Sequence, residues 1–117
     1  MLSDKETKRA EEEVKRQTKW FRDAKARGYN AEVVAMSTYD SQDDFDRCRP
    51  SARVTDFRQY NEYVIAVLKG LRANGVPAEP VVVHYPEFAK FLNGKPITPE
   101  ARSDFAAHLA IEASKNK

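Results

Sequence analysis

The amino-acid sequence predicts an α/β fold: a small βαβ-based domain in the order α-β-α-β-α-α, with a charged N-terminal helix. Three observations carry that prediction. Two short apolar runs, Val33-Val34-Ala35-Met36 and Val81-Val82-Val83, stand on either side of one strongly amphipathic segment, residues 55–74. Each run breaks abruptly into polar residues, as strands do where they leave a sheet. The segment between them is long enough for the crossover helix that joins parallel strands.

The first element starts at Ser3-Asp4-Lys5-Glu6, a capping-box pattern, with Glu6 expected to return to the Ser3 amide. Its helix runs to Gly28, a natural left-handed stop, with Glu11/Lys15 and Glu12/Arg16 as favourable pairs four residues apart. Ala10, Val14, Gln17, Phe21 and Ala24 share one face with Trp20 on its shoulder, which assigns Trp20 to packing. Lys15, Lys19 and Arg22 point the opposite way. The first turns carry almost no apolar side chain and are expected to project or fray.

The first strand spans about 31–38, and Asp43 to Cys48 form a helical turn in the acidic loop after it. Thr55 caps the central helix, whose Phe57, Tyr60, Val64, Val67, Leu68 and Leu71 make a wide apolar stripe ended by Asn74-Gly75. The second strand covers about 80–85. Pro86 then opens a short helix ended by Gly94, and Thr98-Pro99 caps a last helix reaching about Ser114. The core is expected where Tyr60, Val64, Val67, Leu68 and Leu71 meet Val33, Val34, Val81, Val82 and Val83. Two strands alone make a poor sheet, so a third near Arg53-Val54, or edge pairing between two copies, is the expected complement.

At 117 residues the chain is one domain, 1–28 the charged helix and 29–114 the βαβ core with its C-terminal helices. No apolar stretch approaches the roughly 20 residues of a membrane span, and the N-terminus has no signal-like pattern, so no membrane association and a cytoplasmic location are expected. Cys48 is the sole cysteine, which rules out an internal disulfide and a zinc site built on paired cysteines. The formal charge of +2 is too small to mark a nucleic-acid binder, yet it is unevenly placed. Six basic residues between Lys15 and Arg27 face a single acid, Asp23, whereas Asp40, Asp43, Asp44 and Asp46 crowd one loop.

Both strands of a βαβ unit end at the same edge, where open α/β folds bind ligands. That places Ser37, Thr38, Tyr39 and Asp40 beside His84 and Tyr85. A hydroxyl, a carboxylate and an imidazole make Asp40, His84 and Ser37 the candidate catalytic residues, with Thr38, Tyr39 and Tyr85 around a ligand. No G-x-S-x-G elbow surrounds Ser37, and no glycine-rich phosphate loop is present. The acidic loop lacks the spacing of an EF-hand, so it reads as solvated carboxylates pairing with Arg47, Arg49 or Arg53, and neither a metal nor a cofactor is expected. Arg47 and Arg49 would depress the Cys48 thiol pKa, although a structural cysteine is the simpler reading. His108 lies four residues from both Asp104 and Glu112, which reads as a salt-bridged surface histidine.

These features point first to a small cytosolic binding or interaction protein that works through helix faces, with a protein partner or a second copy of itself. A small hydrolase or transferase using the strand-end cluster is the alternative. A third reading is sequence-independent nucleic-acid binding through Lys15, Arg16, Lys19, Arg22 and Arg27.

Overall fold

The computed structural model describes residues 2–29 and 33–115. Its elements are α1 (Asp4–Ala26), β1 (Val34–Thr38), α2 (Gln42–Cys48), α3 (Phe57–Ala73), β2 (Ala78–Val82), α4 (Tyr85–Leu92) and α5 (Pro99–Lys115). β1 and β2 form a parallel pair in the register Val34↔Ala78 to Thr38↔Val82. The predicted α/β class and element order are those of the molecule, with α2 as the helical turn expected in the acidic loop.

Local chemistry sets the helix ends. Ser3 Oγ accepts from the Glu6 amide at 3.1 Å, as its capping pattern requires. Thr98 Oγ1 does the same for Ala101 at 3.0 Å. Gly28 (φ 84°) and Gly75 (φ 76°) take the left-handed conformation. Each lets the chain close a Schellman turn, with Tyr29 N–H donating to Ala24 C=O and Val76 N–H to Leu71 C=O. The cap of α3 is Asp56 rather than the expected Thr55. Its carboxylate accepts from the Arg58 amide at 2.8 Å and the Gln59 amide at 3.3 Å, which a residue one position earlier cannot reach.

The strands are shorter than expected, and β2 starts earlier. Residues 31 and 32, read as the start of the first strand, lie outside the described residues, as does Asn30 before them. Pairing begins where Val34 N–H meets Pro77 C=O and ends where Val83 N–H meets Thr38 C=O, each at 2.9 Å, so His84 and Tyr85 are released to start α4. Pro86 is therefore the second residue of that helix.

Two apolar clusters hold the layers together. Val64, Val67, Leu68 and Leu71 of α3 pack with Ala10 and Phe21 of α1 and with Val34 and Ala78 of the sheet. On the other side Tyr39, Phe45, Cys48, Val83, Phe88, Leu92 and Phe105 join α2, α4 and α5 to the strand ends. Helices thus cover both faces of the two-stranded sheet, and this supplies the burial that an isolated pair lacks. Val33, which precedes β1, and Val82, the last residue of β2, both expected in the core, are 37% and 49% exposed.

Residues 53–54 form no strand. Val54 is buried, and Arg53 reaches back across the fold to Glu6, with Nε to Oε1 at 2.9 Å and an amino group to Oε2 at 3.1 Å. This fork corrects two expectations: Glu6 is held by Arg53 and Arg9 rather than returning to the Ser3 amide, and the first turns of α1 are tied down instead of projecting. Arg16 pairs with Glu13, three residues away, in place of Glu12.

The outer edge of β2 is partly occupied. In a parallel ladder alternate residues turn their peptide groups away from the partner strand, here Ala78, Pro80 and Val82. Arg72 Nε occupies the Ala78 carbonyl at 2.8 Å, and Pro80 has no N–H to offer. At the end of β1 the Asn61 amide imitates a neighbouring strand, accepting from Tyr39 N–H at 3.0 Å and donating to Tyr39 C=O at 2.6 Å. Among the described residues no helix is long and apolar enough to cross a membrane.

Candidate functional site

The carboxyl ends of β1 and β2 bring three polar side chains to one point. His84 is the N-cap residue of α4, Asp44 lies in the first turn of α2, and Asp40 sits in the loop between β1 and α2. His84 Nδ1 is 3.2 Å from Asp44 Oδ2 and 3.7 Å from Asp40 Oδ1. The other oxygen of Asp44 accepts from the Tyr85 amide at 3.1 Å, and its own amide donates to Ser41 Oγ. Asp44 is therefore fixed on both sides, while Asp40 is largely exposed.

This geometry shapes the charges. The Asp44 hydrogen bond holds the His84 imidazole above its ordinary pKa; partial burial opposes it, and Asp40, Asp44 and Glu87 add their negative fields. Burial pushes the Asp44 carboxyl up, but the Tyr85 amide, His84 and Ser41 outweigh it and keep Asp44 below the usual carboxylate range. The second carboxylate matters because it leaves the imidazole between two acids.

The expected partners divide between this point and the interior. Asp40 and His84 meet, and Tyr85 contributes its backbone amide while its ring lies under the Arg47 guanidinium at 5.6 Å. Thr38 is buried, with its hydroxyl donating to Val81 C=O at 3.1 Å. Tyr39 is buried edge-on against Phe45, with centroids 5.6 Å apart. Ser37 faces the α5 layer with Tyr39, Val83, Phe88, Arg102 and Phe105, around a gap that has no room for a water molecule. Burial raises the Tyr39 and Tyr60 phenols above their ordinary range, and the Ser37 hydroxyl acts against that rise in both. Ser37 makes no hydrogen bond to His84 among the described residues.

Sequence reasoning missed Asp44, which it treated as one of four similar acids. Its signal is Ser41-x-x-Asp44, a capping pattern that places the residue in the first turn of a helix. The other expected pairings are divided: Arg47 does pair with Asp43 at 3.1 Å, whereas Arg53 goes to Glu6. Two further readings are corrected. Cys48 is fully buried, and desolvation, with the Asp44 charge adding to it, pushes its thiol up to about 11 despite the flanking arginines. His108 stacks against Phe91, with centroids 5.5 Å apart, and against Phe105, and it pairs with neither Asp104 nor Glu112.

The basic residues of α1 occupy two flanks. Lys15, Lys19 and Arg22 border a groove of about 310 Å³ between α1 and the end of α3, where Arg22 donates to Asn74 C=O at 3.4 Å. Arg16, Trp20 and Arg27 lie on the opposite flank by their helical spacing, and Tyr29 follows the cap. Trp20 is 57% exposed and Tyr29 67%, so Trp20 does not belong to the packing to which its shoulder position assigned it. Comparison with family models, with curated proteins and with solved structures finds no match for this chain.

Proposed function

We propose that this chain is a small cytosolic binding protein whose working surface is the outer flank of α1, and that its partner is a protein presenting an acidic patch. The observation that carries this reading is the exposure of Trp20, the only tryptophan, at 57% on a helix whose inner face is spent on the core. A large exposed aromatic ring is the side chain best able to anchor a partner that covers it. Arg16 and Arg27 on the same flank, and Tyr29 beyond the end of α1, are with Trp the residue types that dominate protein-interface hot spots. Arg16 and Arg27, the basic residues of that flank, supply the complementary charge for an acidic partner.

Nucleic acid is the competing occupant, and the division of the basic residues argues against it. Backbone contact with base stacking needs cations and an aromatic ring on one face, whereas Lys15, Lys19 and Arg22 line a groove on the side away from Trp20. A photo-crosslinking residue at position 20, compared with one at Glu100 on α5, tests the reading in cells that express the protein. The expected result is one protein captured from position 20 only, whose affinity for the purified chain falls roughly thirtyfold in Trp20→Ala, a hot-spot loss of about 2 kcal/mol. Equal capture from both positions, capture of nucleic acid, or capture of a second copy of the chain would overturn it.

A further inference from the structure

The point where Asp40, Asp44 and His84 meet has the donor geometry of a metal centre. One ligand atom from each lies within 4.8 Å of the other two. A first-row divalent ion with bonds of about 2.0–2.2 Å spaces adjacent donors roughly 3.0–3.5 Å apart. His84 Nδ1 stands at 3.2 Å from Asp44 Oδ2, inside that spacing, and at 3.7 Å from Asp40 Oδ1, just outside it. Asp40 is exposed in a loop, and its carboxylate can close the remaining few tenths of an ångström by rotation. From these distances we infer that the chain binds one divalent transition-metal ion, of the zinc class, through Asp40, Asp44 and His84 Nδ1.

The donor set decides the class of ion. Acidic residues alone would make an ordinary solvated loop or a weak site for a hard cation, and in sequence Asp40, Asp43, Asp44 and Asp46 look like no more than that. The fold adds an imidazole nitrogen from 40 residues further along the chain, which magnesium and calcium disfavour and zinc, manganese or cobalt accept. The second oxygen of Asp44 is already held by the Tyr85 amide, which aims the free oxygen at the imidazole in the manner of outer-sphere orientation at metal sites. Three protein donors leave a coordination position open to solvent beside the exposed Asp40. Metal binding here is independent of any partner on α1.

Zinc titrated into the chelator-treated full chain by calorimetry, with NMR of the two histidine rings, tests the inference. The expected result is one zinc per chain, with the His84 ring resonances displaced and those of His108 unmoved. Cobalt should give visible absorption at the same stoichiometry, and millimolar magnesium should not compete. Asp40→Asn should weaken binding at least tenfold and His84→Gln further, while Asp43→Asn leaves it unchanged. His84 makes no side-chain cap bond to α4, so its replacement removes no helix cap, and circular dichroism confirms folding of each variant. Absence of stoichiometric zinc binding, or binding that survives His84→Gln, would overturn the site.

Discussion

Gly70→Ala isolates the closest contact in the fold. A Cβ built at Gly70, on the face of α3 that meets α1, would stand 2.5 Å from Val14 Cγ2 and 3.3 Å from its Cγ1. Ordinary contact requires about 3.5 Å, so one methyl group must move by roughly 1 Å. Val14 is β-branched and holds essentially one helical rotamer, which leaves separation of the helices as the main relief. Helix propensity alone favours Ala over Gly by about 1 kcal/mol, whereas overpacking a well-fitted contact costs about 1–3 kcal/mol. The upper part of that range applies, because α1 and α3 share Ala10, Phe21, Val64 and Leu71 in one cluster and must part together. Gly70→Ala should therefore lose about 1–2 kcal/mol in urea denaturation, with Tm lowered by several degrees. In a Val14→Ala background the same change should be neutral or stabilising by up to about 1 kcal/mol. A Gly70→Ala protein more stable than the parent would refute the close approach.

Three further outcomes follow from the same contacts. Leu71→Ala, fully buried between α1, α3 and the sheet, should cost about 2–5 kcal/mol by denaturant titration, and a loss below about 0.5 kcal/mol would place the residue outside the core. The Cys48 thiol, buried and pushed up to about 11, should react with a disulfide reagent at pH 8 only as fast as the chain opens, so prompt stoichiometric labelling of native protein would contradict its burial. The Arg53 fork lowers the Glu6 carboxyl pKa in the fold, so its contribution is present above the ordinary carboxylate pKa and is lost as pH falls through the depressed value. Because the pair is partly exposed, Arg53→Met should cost no more than about 1 kcal/mol at neutral pH. The difference from the parent should vanish in acid, and a cost that persists there would assign it to packing on Tyr63.

The helices were legible because each carries its own stop and start chemistry, as at Ser3, Thr98 and the glycines at 28 and 75. The α3 stripe was legible because its period is local. Strand limits were not, since they depend on a register, Val34 against Ala78, that no single segment encodes. The strand-end edge was readable from the βαβ order alone, which placed Asp40 near His84. The order could not say that Asp44 lies nearer, since its direction depends on the start of α2 and on an amide 41 residues away. It also could not say that Ser37 faces inward, because one residue's shift in pairing exchanges the faces. Long-range ties such as Arg53 to Glu6, and the exposure of Trp20, follow from how helices dock rather than from any local pattern.

Fluorine NMR of the chain grown on fluorotryptophan reads the α1 flank itself, because Trp20 gives one resonance from the proposed surface. Titration with the partner captured from position 20 should shift or broaden that resonance to saturation. The effect should weaken as salt rises, as contact between a basic and an acidic face requires. Single-stranded DNA at the same concentration should leave it in place. A resonance unmoved by the partner, or moved only by DNA, would contradict the assignment of this flank to protein binding.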